Sequence, residues 1–419
     1  MAQPGGKFHI QDKLSTTAPH HESFEQLWAT KWKEPATRGL YPFMFGSIKD
    51  FEPIVDQLVK EGQKEPYDGD KYATVFFPKA AELKIAAEHA EQEGNQEKAS
   101  ELYLRSSAVY RISRFPAPRS EKQRYAWEQG KIVSAKGLAL RERPTREVKI
   151  PHKHGLPSEG KELQFYYHLP PGMTKEKPVP LLIIFTGLDG YRTELAVWIE
   201  GWSRLNVAVI VLEIPGTGDS PADPKDPKSP DRQYSTLLDW IDKQPEIDPA
   251  RKAVWGFSTG GYYAIRIAHT HADRLAGAIA LGGGCHYMFT DTWLDNVNRL
   301  EYPFDLAHTL AYKWGYGNDL EAFKKDGMNF SLLNDGTLDS KECTRLLLVN
   351  GMDDEIFPID DYQLCLNHGA IKEARFVDAK KHMGEPDSFF IILPWLYKLF
   401  GIQGNSGQQM GTIPSRPKF

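Results

Sequence analysis

The chain has 419 residues, a formal net charge of −5 and a sequence pI near 6.3. This length predicts two domains, and the acidic balance argues against a nucleic acid or an anionic membrane as a partner. The three cysteines, Cys285, Cys343 and Cys365, lack metal-ligand spacing and suit a reducing compartment. Residues 1–14 lack the features of a signal peptide, and no stretch has the roughly 18 apolar residues of a membrane span. We therefore expect a cytoplasmic protein that is not inserted in a membrane.

The N-terminal part of the chain has a helical pattern. Residues 80–93 and 96–114 are predicted to form two helices joined at Gly94 and Asn95, with small and apolar residues repeating along one face of each. This pattern favours an antiparallel helix pair within a helical cap domain over residues 1–145. A peptide-binding helical repeat is the alternative, but such arrays need about three units to be stable.

An aromatic segment precedes these helices. Tyr41, Phe43 and Phe45 fall within seven residues of one another. Two interpretations stay open: the rings anchor the core of the helical domain, or they form a wall of an aromatic substrate pocket. An insertion at about 285–342 is a second source of rings for such a pocket, and its large aromatic residues include Tyr287, Phe289, Trp293, Tyr302 and Phe304.

Strands and helices alternate after residue 145, which predicts a second domain over residues 146–402. The predicted strands are 147–150, 163–169, 181–185, 207–214, 253–255, 276–281, 345–350 and 374–377. The first two form a hairpin. Helical stretches separate most of the others, so the sequence predicts a mainly parallel, twisted sheet covered on both faces. Residues 403–419 are rich in Gly, Ser, Gln and Pro and are predicted to form a flexible tail.

A nucleophile motif lies between the predicted strand at 253–255 and a helical stretch at 262–271. The sequence there is G-F-S-T-G-G, with Ser258 at its centre. This is the context of the G-x-S-x-G nucleophile elbow of α/β-hydrolases, in which small flanking residues allow a sharp turn that exposes the serine hydroxyl. We predict that Ser258 attacks a carbonyl carbon.

The acid of a catalytic triad should follow a later strand of the same sheet. Strand 345–350 ends at Gly351 and is followed by two adjacent carboxylates, Asp353 and Asp354. The spacing from the glycine favours Asp354 as the acid. Asp353 is the alternative, because adjacent side chains point in different directions, and the residue that is not catalytic is expected to cap the turn.

The base should come last in the chain. His382 lies in the loop between the predicted strand at 374–377 and a helical stretch at 389–400, so both its order and its position fit. The other histidines that we considered lie on the elbow helix or in the insertion, where surface and capping roles are more common. We therefore predict that His382 is the general base.

The predicted strand at 181–185 runs into the turn T-G-L-D-G, which is suited to an oxyanion hole. Gly187 allows a substrate to approach the backbone closely, and Leu188 offers an N–H group. The second donor is expected to be the N–H of Thr259, directly after the nucleophile. Two such fixed dipoles stabilise developing negative charge by a few kcal/mol each.

Together these segments resemble one family. The elbow W-G-F-S-T-G-G, the turn T-G-L-D-G, the acid segment V-N-G-M-D-D-E-I-F-P and the base segment K-K-H-M-G follow a long helical N-terminal region. In this combination the chain is similar to the fungal yellowish-green pigment hydrolases of melanin biosynthesis, over about residues 41–400. Those proteins belong to the α/β-hydrolase superfamily.

The resemblance implies an α/β-hydrolase fold with a mainly parallel twisted sheet and a helical N-terminal cap domain. It also implies an intracellular homodimer that shortens an aromatic polyketide, a heptaketide naphthopyrone, to tetrahydroxynaphthalene with release of an acetoacetyl unit. The family triad falls on Ser258, Asp354 and His382, and the chemistry requires neither a metal nor a cofactor. A carboxylesterase and a noncatalytic binding protein are the alternatives. The residues predicted to line the substrate pocket are Tyr41, Phe43, Phe45, Asp189, Phe257 and Tyr287.

Overall fold

The computed structural model describes residues 7–411 and 417–419. Residues 412–416, which belong to the predicted tail, and residues 1–6 lie outside the described residues. The first part of the described chain is helical. Its helices are α1 (Phe24–Leu27), α2 (Lys33–Arg38), α3 (Ile48–Lys60), α4 (Gly69–Thr74), α5 (Phe77–Gln92), α6 (Gln96–Ser113) and α7 (Glu121–Ala139), with a π-helical turn at Trp28–Trp32.

Side-chain caps fix where the long helices α6 and α7 begin, and a glycine lets them pack closely. The Asn95 side chain caps the start of α6, and Ser120 forms a reciprocal capping box with Gln123 at the start of α7. Helices α6 and α7 approach closely at Gly137, where an added Cβ would lie 2.8 Å from Leu104 Cγ. The predicted helix pair is therefore present as α5 and α6, and α7 extends it.

The second part of the described chain contains an eight-stranded sheet. Its strands are β1 (Arg146–Pro151), β2 (Glu162–His168), β3 (Val179–Phe185), β4 (Ala208–Leu212), β5 (Ile247–Phe257), β6 (Gly277–Leu281), β7 (Leu346–Gly351) and β8 (Glu373–Val377). They lie in the order β1-β2-β4-β3-β5-β6-β7-β8. Strand β2 is antiparallel to both β1 and β4, and every later pair is parallel. The predicted hairpin and the mainly parallel sheet are confirmed.

Helices follow most of these strands. They are α8 (Arg192–Leu195), α9 (Val197–Arg204), α10 (Ser229–Ile241), α11 (Thr259–Thr270), α12 (Asp291–Leu294), α13 (Leu306–Lys313), α14 (Leu320–Gly327), α15 (Asp360–Leu366), α16 (Phe389–Phe400) and α17 (Ser406–Met410). The last of them lies in the stretch predicted to be a flexible tail. None of the helices in the described ranges combines the length and apolarity needed to cross a membrane.

Both faces of the sheet are buried. All residues of β3 are buried, and alternate residues along it join two different clusters of apolar side chains. One cluster includes residues of α10 and α11, and the other includes residues of α9 and α16. This explains the uninterrupted apolar sequence of β3, since a central parallel strand has no solvent-facing side. The architecture is that of an α/β-hydrolase, as predicted.

The helical region and the sheet share a hydrophobic core. One cluster of buried side chains contains Val109 of α6 together with Ile183 of β3. Helix α7 ends at Ala139 and β1 begins at Arg146. A division into a cap domain and a catalytic domain near residue 145 stays a prediction.

Candidate active site

Ser258 lies in a sharp turn between β5 and α11. Its φ of 53° and ψ of −125° belong to a region that residues other than glycine rarely adopt. The turn needs small neighbours, because a Cβ added at Gly256 would overlap the carbonyl oxygen of Gly260. The Ser258 N–H donates to the carbonyl of Leu281 at 2.7 Å, which ties the turn to the end of β6. The serine is therefore held in the geometry of a nucleophile elbow.

The imidazole of His382 connects Ser258 with Asp354. Its Nε2 lies 2.9 Å from Ser258 Oγ, and its Nδ1 lies 2.9 Å from Asp354 Oδ2. Burial alone would lower the pKa of His382, but the charge and hydrogen bond of Asp354, together with the charges of Glu301 and Glu385, raise it overall. The structure thus brings the three predicted triad residues into one hydrogen-bonded chain.

Asp354 is held in one orientation. The carboxylate is fully buried, and it accepts hydrogen bonds from the Asn350 side chain at 2.7 Å and from the N–H groups of Ile356 at 2.7 Å and Phe357 at 3.0 Å. Asp353 is different, because it forms an ion pair with Lys13 at 3.1 Å and its side chain is 35% exposed. Of the two adjacent carboxylates, Asp354 contacts the histidine.

Asn350, the residue before Gly351, connects two of the predicted triad segments, and none of the sequence motifs assigns it a role. Its Oδ1 accepts the N–H of Met383 at 2.9 Å, while its Nδ2 donates to Asp354. One side chain at the end of β7 therefore connects the acid with the loop that carries His382. Asn350 directly precedes Gly351, which ends β7. That position is the sequence feature by which the residue could have been identified.

The turn that follows β3 lies beside the nucleophile. A Cβ added at Gly187 would lie 3.3 Å from Ser258 Cβ and 3.9 Å from its Oγ, so the two segments are in close contact here and a side chain at this position would crowd the nucleophile. Leu188 is buried, and Thr259 is the first residue of α11, where N–H groups have no partner within the helix. The assignment of the Leu188 and Thr259 N–H groups as oxyanion donors stays a prediction.

Asp189 continues this turn into a buried polar network. Its carboxylate accepts hydrogen bonds from the hydroxyls of Tyr41 and, at 2.8 Å, Tyr302. Its carbonyl oxygen accepts from Arg114 Nη1 at 3.0 Å, and Arg111 Nη2 donates to the Tyr41 hydroxyl at 2.7 Å. Burial raises the pKa of Tyr41 well above its usual value, so this phenol remains a donor. Tyr41 and Asp189, both predicted pocket residues, contact each other.

Two arginines of α6 and the segment after it share one carboxylate in this network. Arg111 Nε lies 3.2 Å from Glu194 Oε1, and Arg114 pairs with the same oxygen. All three side chains are almost completely buried. Neither arginine was predicted to be part of the site, because within the sequence they are charges in an ordinary helical pattern. Their role depends on the packing of α6 against the β3–α8 segment.

The other predicted pocket residues lie among aromatic neighbours. Phe43 is buried and packs edge-on against Trp32 and Phe51, with ring centroids 5.5 and 4.8 Å apart. The guanidinium of Arg141 lies 5.4 Å from the ring centroid of Phe45. Phe43 therefore has the packing of a core anchor, one of the two interpretations left open. A contact of either ring with substrate stays a prediction.

Phe257 ends β5, and Tyr287 lies in a 3-10 helical turn beyond β6. Phe257, next to the nucleophile, stacks on Trp255 at 4.4 Å. Tyr287 follows β6, and its N–H donates to Asp361 Oδ1 at 2.7 Å while its ring contacts Phe8. Their role in a substrate pocket likewise stays a prediction. Across the described ranges, no group of three or more His, Cys, Asp or Glu side chains is arranged to hold a metal ion.

Comparisons with known proteins show which family the chain matches. A model of the family described as Esterase FrsA-like matches residues 77–386. The esterase FrsA of Photobacterium profundum is 25% identical over 324 residues, which cover 75% of this chain and 73% of the relative. The hydrolyase poxO of Penicillium oxalicum is 30% identical over 237 residues, which cover 54% of this chain and 54% of the relative. The chain thus spans about half the length of that fungal relative.

Solved structures show the same fold. The 2,6-dihydroxy-pseudo-oxynicotine hydrolase aligns with a TM-score of 0.66 at 18% identity, covering 85% of this chain and 93% of that one. AbyA5 aligns with a TM-score of 0.61 at 21% identity, covering 77% of this chain and 85% of that one. At these identities the likeness extends to the architecture alone.

Proposed function

Since the chain belongs to the FrsA-like esterase family, we propose that it is a serine hydrolase with Ser258 as nucleophile, His382 as base and Asp354 as acid. The observation that carries this proposal is the unbroken hydrogen-bond chain from Ser258 Oγ through both imidazole nitrogens to Asp354 Oδ2, with two contacts of 2.9 Å. A buried carboxylate that orients the imidazole is the arrangement that activates a serine hydroxyl.

We further propose that the enzyme cleaves a carbon–carbon bond in the side chain of an aromatic polyketide, converting a heptaketide naphthopyrone to tetrahydroxynaphthalene and acetoacetate. Two observations support this reaction. The motifs resemble those of the fungal pigment hydrolases, and the Penicillium relative at 30% identity is named a hydrolyase. The pathway that fits is pigment or melanin biosynthesis in a fungus.

The first half of the reaction forms an acyl-enzyme. Ser258 Oγ attacks a ketone carbon of the side chain, and its proton passes to His382 Nε2. The N–H groups of Leu188 and Thr259 would then stabilise the oxyanion of the tetrahedral intermediate. When that intermediate collapses, the carbonyl re-forms as an ester on Ser258. The neighbouring carbon departs with the bonding electrons, which are delocalised as an enolate or phenolate, and His382 returns the proton to it.

The second half releases the acyl group. A water molecule gives one proton to His382 and attacks the ester carbon, and collapse of the second intermediate frees the carboxylic acid. The proton on His382 restores the Ser258 hydroxyl. One water is consumed for each bond that is cleaved. Every proton transfer therefore runs through one imidazole whose tautomer Asp354 fixes.

An ordinary carboxylesterase is the second candidate, because the family and the Photobacterium relative are both named as esterases. The same triad would serve that reaction. Competition between a simple ester and a naphthopyrone separates the two candidates. The polyketide proposal predicts that the naphthopyrone is the better substrate by kcat/KM, whereas the esterase candidate predicts the reverse.

The test of the proposed reaction is mass analysis of products after incubation of the purified protein with a naphthopyrone. We expect two products, the shortened aromatic compound and the acyl fragment, and none with Ser258→Ala. An unchanged naphthopyrone in the presence of an active, ester-cleaving enzyme would contradict the polyketide assignment and leave the serine hydrolase intact.

The oligomeric state and the cellular location of the enzyme are further parts of the proposal. We propose a cytoplasmic homodimer, on the basis of the family resemblance and of a cysteine usage that suits a reducing compartment. Sedimentation of the purified protein tests the assembly, and a monomer at micromolar concentration would contradict it. Fractionation of the cells that produce the protein tests the location.

A further inference from the structure

Residues 300–304, which we name the clamp segment, lie between the helical region and the triad. The carbonyl oxygen of Leu300 lies 2.9 Å from His21 Nε2. The N–H of Phe304 donates to Glu65 Oε1 at 2.7 Å. Both ends of the segment are therefore attached to the N-terminal helical region, while its central residues contact the loops of the sheet.

Glu301 of the clamp segment contacts the loop that carries the base. Its Oε2 accepts the backbone N–H of His382 at 3.2 Å, and its Oε1 lies 3.8 Å from Lys31 Nζ. The Glu301 side chain is only 13% exposed. The carboxylate thus fixes the backbone of His382 at the point where the imidazole branches from it, and it places a negative charge beside the ring.

Tyr302 contacts the opposite side of the site. Its hydroxyl donates to Asp189 Oδ2 at 2.8 Å, and its ring stacks on Phe115 with centroids 6.0 Å apart. Asp189 directly follows Leu188 in the turn beside Ser258. Because Tyr302 is buried, with its ring packed on the helical region, it can hold that turn in place.

We propose that Glu301 and Tyr302 are positioning residues that fix the two halves of the active site relative to each other. Glu301 would set the position of His382, and Tyr302 would set the position of the Leu188 N–H. This inference rests on the proposed serine hydrolase function. A single short segment is suited to the task, because a displacement of about 1 Å between base and oxyanion donors is enough to slow a reaction about 100-fold.

The probe for the test is a fluorophosphonate, which reacts with an activated serine and places its phosphoryl oxygen in the oxyanion hole. Its second-order labelling rate reports on the base and on the oxyanion donors, whatever the natural substrate is. Intact-protein mass follows the extent of labelling, and a thermal unfolding curve for each variant shows whether the variant is folded. The rate is measured across pH for the full chain and its variants.

The first test concerns Glu301. The titratable groups that face His382 are Asp354, Glu301 and Glu385. Lys31 lies beside Glu301, and Lys381 pairs with Glu355 at 2.8 Å. Glu301→Gln keeps an oxygen acceptor but removes a negative charge that raises the pKa of His382. The acid limb, which is the low-pH range over which the labelling rate falls as His382 is protonated, should therefore move to lower pH. Glu301→Ala removes the acceptor as well and should slow labelling about 10-fold.

A matched control is Glu65, a carboxylate of the helical region that contacts the same segment. Glu65→Gln also neutralises a carboxylate that accepts an N–H of the clamp segment, but Glu65 bonds to His21 and Phe304 and not to the triad. Its acid limb should stay at the wild-type pH. The role of Glu301 would be overturned if the acid limb of Glu301→Gln lay at the same pH as that of wild type. It would also be overturned if the acid limb shifted by the same amount in Glu301→Gln and Glu65→Gln.

The second test concerns Tyr302. Tyr302→Phe removes one of the two tyrosine hydroxyls that hold Asp189, and labelling should slow about 10-fold at every pH without a shift of the acid limb. The control is Tyr316→Phe, which removes a 3.0 Å tyrosine-to-aspartate hydrogen bond elsewhere in the same insertion. A Tyr302→Phe rate equal to that of the control would overturn the inference.

Failure of this inference differs from failure of the proposed function. If wild-type Ser258 is labelled and the clamp variants match wild type in rate and pH dependence, only the positioning role is overturned. If Ser258 is not labelled in the folded wild-type protein, the serine hydrolase proposal fails, and the positioning role fails with it.

Discussion

The two halves of the candidate site are held by different parts of the molecule. Ser258, Asp354 and His382 all come from loops at the carboxyl ends of strands in one sheet, and their side chains are hydrogen-bonded to one another. The turn that contains Leu188 and Asp189 is also at a strand end, but side chains of the helical region hold it.

This difference shows what the helical region contributes. Arg111 and Arg114 bring two positive charges into the interior, where Glu194 is their shared partner. Such buried charges are costly unless each one is paired, so the network is stable only when α6 is seated against the sheet. The helical region is therefore an integral support of the turn that contains Leu188 and Asp189. Substitutions in one half of the site should therefore leave the other half intact.

The largest effect is expected at the nucleophile. Ser258→Ala should lower kcat by a factor on the order of 10⁶, as loss of a triad nucleophile does, while leaving the unfolding free energy close to that of wild type. The measurement is single-turnover kinetics with the naphthopyrone. Ser235→Ala is a matched control, because Ser235 Oγ also pairs with a histidine, His271, at 2.9 Å but lies outside the elbow. Comparable losses in both variants would reject the assignment.

The next largest effect separates the adjacent carboxylates. Asp354→Asn leaves the shape of the site intact but favours the wrong imidazole tautomer, so kcat should fall about 10⁴-fold. Asp353→Asn breaks only the partly exposed ion pair with Lys13 and should change kcat less than about twofold. Parallel kinetics on the two variants give the ranking. The opposite ranking would reassign the acid.

The third effect concerns the buried ion pairs between the helical region and Glu194. Glu194→Gln leaves the guanidiniums of Arg111 and Arg114 buried without this carboxylate, and the unfolding free energy should fall by about 3 kcal/mol. Denaturant unfolding measures it. Glu97→Gln, which breaks an exposed pair with Lys418, serves as the control and should cause no measurable change. Equal stability of both variants would show that the buried network is not what seats α6.

The smallest effect is a pH dependence. His382 accepts a proton only when it is neutral, so the acid limb of kcat/KM follows its titration. Burial acts to lower the pKa of His382, but Asp354 and Glu301 outweigh it and raise the pKa above the usual 6.5. Activity should therefore be lost as the pH falls through a value above 6.5. An acid limb well below the usual histidine value would mean that desolvation dominates.

Much of the sheet could be predicted because its strands are short apolar segments. The predicted strand at 253–255 lies in the second half of β5, which extends from Ile247 to Phe257. The prediction missed the first residues because Asp248, Pro249 and Arg251 are polar or conformationally restricted and lie at the more exposed start of the strand. Only Ile247 and the residues from Lys252 onward pair with β3, and the register shifts between them, so the missed stretch is an irregular part of the strand.

The candidate site also has a part that could be predicted from the sequence and a part that could not. The elbow, the acid segment and the base segment are local sequence patterns, and the structure places their three side chains within hydrogen-bonding distance. The support of the turn at Leu188 and Asp189 by Arg111, Arg114 and Tyr302 could not be predicted. Each of these residues is distant in sequence from Asp189, and no local pattern distinguishes a buried helical arginine from a surface one.

The most direct test of the central claim is to map the site of fluorophosphonate modification by peptide mass analysis. We predict a single label on Ser258 in the wild-type protein, strong loss of labelling in His382→Ala, and retained labelling in Ser235→Ala. A folded wild-type protein that is labelled elsewhere, or that is labelled at Ser258 equally well without His382, would contradict the claim.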